Sequence, residues 1–90
     1  DAKLSRLVVD FVQRLRDMDL FKVPGIAETI DWASALHQLD IIELTPEAID
    51  DTLGVLLKYQ DDIAKIRGSE AAKILDEVKS EIATAQLSAG

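Results

Sequence analysis

The residues best placed to bind a ligand are Pro24, Gly25, Ile26, Ala27 and Glu28, which lie where a loop passes into a predicted helix. A helix start leaves backbone amides without intrahelical partners and carries the positive end of the helix dipole, so it favours phosphate or carboxylate groups. Every helix has such a start, so the segment also fits an ordinary junction between a loop and a helix. Glu28 falls in the first turn, where its charge suits the dipole but would repel a phosphate.

The other residues that could take part in catalysis or bind a metal do not form a catalytic or metal-binding pattern. No glycine begins the Gly-rich pattern ending in Lys-Ser or Lys-Thr that wraps phosphates, so the sequence has no P-loop. His37 is the only histidine and cysteine is absent, which leaves no Cys-His pair and no converging metal ligands. The adjacent pairs Asp50-Asp51 and Asp61-Asp62 point around a helix rather than toward one another. We therefore predict no catalytic residue and no metal ligand in this chain, and an enzyme complete in itself is the least favoured interpretation.

Composition and charge disfavour some classes of binding partner. The chain has 90 residues, of which 48% are hydrophobic and 30% charged, and this balance is typical of one globular domain. Seventeen acidic residues against ten basic ones give a net charge of −7, which repels the phosphates of nucleic acids and of anionic membrane surfaces. We predict neither nucleic-acid binding nor membrane insertion, and no signal peptide is visible. The lack of cysteine fits a reducing compartment.

The elements that must position segment 24–28 are helices. Apolar side chains recur every three or four residues from Leu4 to Leu15, which predicts an amphipathic helix over residues 2–18. A second helix is predicted over residues 26–39. The Thr-Pro-Glu run at 45–47 starts a third, which ends near residue 59 or continues irregularly to 66. Ser69 can cap a fourth helix, and the alanine-rich segment 83–90 is predicted to fray.

The predicted fold is an all-α bundle of four main helices in a single domain spanning residues 1–90. In the second helix, one apolar row consists of Ile26, Ile30, Ala33 and Leu36 and a neighbouring row of Trp32, Leu36 and Leu39, so the face is broad enough to contact more than one neighbour. Trp32 and Tyr59 are predicted to be anchors in the core or at an interface, because aromatic side chains bury large areas. Gly54, inside the third helix, is predicted to let another helix approach closely, with a hinge as the less favoured alternative.

Two stretches of the chain resemble a known family. Residues 22–36 read KVPGIAETIDWASAL and residues 52–61 read TLGVLLKYQD. Together with the Thr45-Pro46 helix start, they are similar to the C-terminal helical lid of MoxR-type AAA+ ATPases, in particular those linked to the maturation of metal-containing enzymes. The resemblance covers roughly the central half of the chain. Residues 62–90 fit a terminal lid helix and carry no diagnostic motif.

The resemblance implies that the chain is a regulatory piece of a cytoplasmic ATPase. ATP and Mg²⁺ would then bind the parent protein, and the isolated fragment is expected to need no cofactor. The implied partners are an upstream AAA+ core, neighbouring subunits and a client metalloenzyme, and Pro24, Gly25, Ile26, Ala27 and Glu28 would face the nucleotide. Such lids usually present a sensor arginine to the phosphates, whereas residues 24–32 contain neither arginine nor lysine. The alternative is a free-standing acidic helical adaptor that binds a partner helix and no nucleotide.

Overall fold

The computed structural model describes residues 2–89, with side chains to residue 87, and within that range it contains five α-helices and no strand. The helices are α1 (Ala2–Arg16), α2 (Ile26–Gln38), α3 (Pro46–Leu56), α4 (Gln60–Ile66) and α5 (Ser69–Ala89). The predicted all-α fold is confirmed. The predicted count of four main helices is wrong, because the third predicted helix is divided into α3 and α4.

The division lies between Leu56 and Gln60. Leu57 ends α3 in an extended conformation with φ −117° and ψ 137°, and Tyr59, also extended, is the N-cap of α4. Leu57 nevertheless keeps its side chain in the core, only 2% exposed. The helix therefore ends while this leucine stays buried. This explains why the apolar spacing of the sequence continues across the end of α3.

All five helices and the loop between α2 and α3 contribute to one hydrophobic core. Its largest member is Trp32, which is completely buried and whose ring centroid lies 5.6 Å from that of Phe11. The indole Nε1 donates a 2.7 Å hydrogen bond to Thr52 Oγ1, and this hydroxyl in turn donates to the Ala48 carbonyl at 2.7 Å. The pair joins α2 to α3 with its buried polar atoms satisfied, and confirms Trp32 as a core anchor.

The last turns of α5 include the segment that is predicted to fray. Residues 83–89 continue the helix where the composition predicts fraying, and residue 90 lies outside the described range. Alanine has the highest helix propensity, and Thr84 Oγ1 donates to the Ser80 carbonyl within the helix. The side chains of residues 83–87 are all exposed, so this last stretch lacks packing, and fraying in solution stays a prediction.

Gly54 does not have the role that the sequence suggests. A Cβ atom placed on it would meet nothing within 4 Å, and the residue is exposed. No other helix among the described residues approaches it, so the predicted close contact is wrong. In the isolated domain, Gly54 therefore only lowers the stability of its helix, as glycine does inside any helix.

We expect Gly54→Ala to stabilise the domain by about 1 kcal/mol, because alanine has the higher helix propensity and meets no obstacle. For a domain of this size, the thermal midpoint should rise by about 4 to 8 °C, measured by circular dichroism. Gly68→Ala is the matched control and should lower the midpoint, because Gly68 has a φ of +82°. A lower midpoint for Gly54→Ala would show that the position is crowded.

Candidate functional site

The candidate segment 24–28 forms the entry into α2. Pro24 is buried, and Gly25 is the N-cap of the helix with φ −99° and ψ −166°. This extended conformation is open to any residue, so Gly25 is not required for its backbone freedom. Ile26 and Ala27 then place their side chains in solvent, and Ile26 is 77% exposed. The structure thus brings the five predicted residues together as one turn, and their contact with nucleotide stays a prediction.

Glu28 holds the start of its own helix. Its Oε1 accepts a 2.8 Å hydrogen bond from the Gly25 amide, which is the glutamate half of a capping box. Thr29 adds a second tie, because its Oγ1 donates to the Gly25 carbonyl at 2.7 Å. The carboxylate therefore lies beside the helix start, where it satisfies one amide and adds negative charge. A phosphate at this position would have to approach the remaining amides of Ile26 and Ala27.

The pKa of Glu28 is lowered from its usual value of 4.5, mainly because the carboxylate accepts the hydrogen bond from the Gly25 amide. Its own backbone amide and the positive charges of Lys22 and Lys58 act in the same direction, whereas partial desolvation opposes them. The ionised form is thus the one that the fold favours. Lys22 and Lys58 therefore lie near enough to this helix start to affect its electrostatics.

Glu28→Gln should reveal this linkage in the pH dependence of stability. A lowered folded pKa means that ionised Glu28 contributes stability that is complete above the unfolded pKa and is lost as pH falls through the folded pKa. Glutamine keeps an acceptor oxygen but does not ionise, so it should be less stable than wild type near neutral pH. The gap in thermal midpoint should close as pH falls below 4.5. A gap that stays constant with pH would contradict a role for the ionised carboxylate.

Asp62 fixes the loop that leads to this turn. It lies in the first turn of α4, is 2% exposed, and accepts hydrogen bonds from the backbone amides of Phe21 at 2.9 Å and Lys22 at 3.2 Å. This role of Asp62 was not predicted, because the pair Asp61-Asp62 was considered only as a catalytic pattern. A signal was present: Asp62 precedes Ile66 by four residues and so shares the buried row of α4.

Four large apolar side chains are exposed in α2, in the loop before it and at the N-cap of α4. We call this set the α2-start surface: Phe21, Ile26, Ile30 and Tyr59, which are 75%, 77%, 59% and 52% exposed. The rings of Phe21 and Tyr59 contact one another with centroids 5.9 Å apart, and Ile26 and Ile30 are successive along one row of α2.

The face predicted for α2 does contact two neighbours, because Trp32 packs on Phe11 of α1 and bonds Thr52 of α3, but the start of the helix is left uncovered. Only Trp32 and Leu36 of this helix are buried, whereas Ile26, Ile30 and Ala33 are exposed. Of the row Ile26, Ile30, Ala33 and Leu36, only Leu36 is therefore buried within the domain. Burying Ile26 and Ile30 would need a partner.

The remaining chemistry-bearing residues lie apart. His37 is exposed in the last turn of α2. Among residues 2–89, no three side chains of His, Asp or Glu converge in a geometry that could hold a metal ion. No helix in the same range has the length and apolar character needed to cross a bilayer.

Comparison of the chain with models of known protein families, with curated proteins and with solved structures found no match.

Proposed function

We propose that this chain is the C-terminal lid subdomain of a MoxR-type AAA+ ATPase. In the full-length protein, it would cover the nucleotide site and couple ATP binding and hydrolysis to remodelling or maturation of a client metalloenzyme. The observation that carries the proposal is the α2-start surface. Large exposed apolar side chains favour a protein partner, and one of them, Ile26, belongs to the segment that the resemblance places at the nucleotide.

The chain's own contribution to such a cycle would be mechanical. Asp62 and Glu28 hold the loop and the helix start in one arrangement, so the turn can act as a rigid edge against the nucleotide. Nucleotide held between this edge and an upstream core would fix their relative angle, and hydrolysis would release it. The core would hold ATP and Mg²⁺. Neighbouring subunits of a ring in the cytoplasm would receive the movement.

The missing sensor arginine changes the form that phosphate contact can take. Residues 24–32 supply no cation, and the Glu28 carboxylate is engaged in the cap. Contact with phosphate would therefore come from the backbone amides of Ile26 and Ala27, which lack intrahelical acceptors at the first positions of a helix. In this proposal the lid responds to nucleotide mainly by closure.

The isolated chain should show no ATPase activity and at best millimolar affinity for ATP, which corresponds to about −4 kcal/mol. The reason is that it lacks a P-loop and would supply only one edge of the site. Titration calorimetry with ATP and Mg²⁺ measures this directly. Micromolar, magnesium-dependent binding by this chain alone would contradict the lid assignment.

In the full-length protein, Ile26→Asp should lower ATP turnover about tenfold or more, because it places a charge on the surface proposed to meet the core. Leu87→Asp is the matched control, since Leu87 is 83% exposed and lies near the far end of α5. Equal turnover of the two variants would remove the α2-start surface from the mechanism.

The coding sequence upstream must also contain a P-loop and an acidic metal-binding motif, and their absence would favour the adaptor.

A further inference from the structure

A second surface, independent of the α2-start surface, lies between the N-terminal half of α1 and the C-terminal half of α5. It is an open groove of about 1020 Å³, to which the loop between α2 and α3 also contributes. We call it the α1–α5 groove. Its apolar lining consists of Leu4, Leu7, Ile42 and Ile82.

The apolar lining is accessible and its walls are held in place. Ile42 is 82% exposed, and Leu4 and Ile82 are only partly buried against the core. Further along the same two helices, the Arg14 guanidinium of α1 bonds the carboxylates of Glu77 and Glu81 on α5. The packing of α1 against α5 therefore does not depend on an occupant of the groove.

The charge of the groove is opposite to that of the protein. The chain has a net charge of −7, yet the groove is lined by the basic residues Lys3, Arg6 and Lys79 and by one acidic residue, Glu43. The ion pair of Arg6 with Asp10 is 3.4 Å long and solvent-exposed, so it contributes little and can exchange for another carboxylate. The groove thus concentrates positive charge around an apolar lining.

We propose that the α1–α5 groove binds an acidic amphipathic helix of a partner protein. Apolar residues of that helix, spaced three and four apart, would contact Leu4, Ile42 and Ile82, and flanking Asp or Glu residues would pair with Arg6 and Lys79 on the two walls. The volume corresponds to roughly two turns of a helix about 10 Å across. The basic residues lie on both walls, which suits several carboxylates along a helix better than one small anion.

Nucleic acid, which carries the same sign of charge, is a poorer occupant because its phosphates would meet the acidic remainder of the surface. The proposal does not depend on nucleotide. It holds for a lid and for a free-standing adaptor, and its test uses the chain without ATP.

The test is fluorescence anisotropy with two labelled peptides of about 18 residues, long enough to form a helix. Both carry leucine at helical spacing; one has glutamate at the flanking positions and the other has lysine. We expect the glutamate peptide to bind about tenfold or more tightly than the lysine peptide, with an affinity that falls as salt is added.

Two matched variants locate the site. Ile42→Asp should weaken the glutamate peptide about tenfold or more, whereas Ile26→Asp, on α2 and outside the groove, should leave its affinity unchanged. Ile42 and Ile26 are 82% and 77% exposed, so neither change should unfold the domain. Circular dichroism checks this, and Lys79→Glu, which alters charge alone, provides a further variant expected to weaken binding.

Failure of both peptides to bind, equal binding of both, or equal loss with Ile42→Asp and Ile26→Asp would overturn the proposal. Sedimentation of the unlabelled chain tests whether a second copy of this chain occupies the groove instead. A dimer that Ile42→Asp dissociates would show that a second copy of this chain fills the groove, and would also overturn the proposal.

Discussion

Trp32→Ala is expected to lower the free energy of unfolding by about 3 to 5 kcal/mol. The side chain is completely buried, packs on Phe11, and bonds Thr52 across the contact between α2 and α3. Domains of this kind have about 5 to 15 kcal/mol of stability in total, so the loss removes a large share of it. Thermal denaturation should show a midpoint lower by about 12 °C or more.

Two further variants separate the volume of the indole from its hydrogen bond. Trp32→Phe keeps most of the aromatic packing and leaves the Thr52 hydroxyl bonded to the Ala48 carbonyl, so it should be clearly milder than Trp32→Ala. Thr52→Val leaves the indole N–H buried without an acceptor and should cost about 1 to 3 kcal/mol. A midpoint unchanged by Trp32→Ala would place this side chain outside the core.

Asp62→Ala should cost about 2 to 4 kcal/mol, because it removes the acceptor of both the Phe21 and the Lys22 amides and leaves a small cavity. Asp62→Ala should also destabilise the loop at Phe21 and Lys22 locally. Hydrogen exchange at Phe21 and Lys22 should accelerate more than exchange in the middle of α1, because the loop is released from α4. Urea denaturation measures the change in overall stability.

Asp61→Ala is the matched control, since Asp61 is the exposed neighbour in the same turn. It should change stability by about 0.5 kcal/mol or less. Asp62→Asn should recover part of the loss, because its side-chain oxygen can accept one of the two bonds while its amide group cannot accept the other. Equal effects of Asp61→Ala and Asp62→Ala would show that the loop is held in another way.

The parts of the fold predicted from sequence are those set by local chemistry. The apolar stripe from Leu4 to Leu15 defines α1, and Thr45 caps α3 as expected, with its Oγ1 accepting from the Ala48 amide at 3.1 Å. The end of α3 lies at Leu56, close to the predicted end near residue 59, but α4 was not predicted as a helix of its own, because Leu57 continues the apolar pattern. Its extended backbone is favoured by burial in the assembled core, which local spacing does not reveal.

The candidate site shows the same division. Its position at the start of α2 was predictable, because Pro24 disfavours helix in the preceding residue and apolar periodicity begins at Ile26. Its state was not. The capping bond of Glu28 requires the actual helix register, and the bonds of Asp62 join segments 40 and 41 residues apart. The exposure of Ile26 and Ile30 depends on which part of α2 the other helices cover.

The most direct measurement of the central proposal is hydrogen–deuterium exchange of the full-length protein with and without ATP. The Ile26 and Ala27 amides occupy the first positions of α2, where no intrahelical acceptor protects them. Nucleotide bound against this turn should therefore slow their exchange, and that of the neighbouring loop through Phe21, more than exchange in α5. Protection of this segment by ATP is the result that the lid assignment predicts. ATP binding that leaves residues 21–28 unchanged would contradict it.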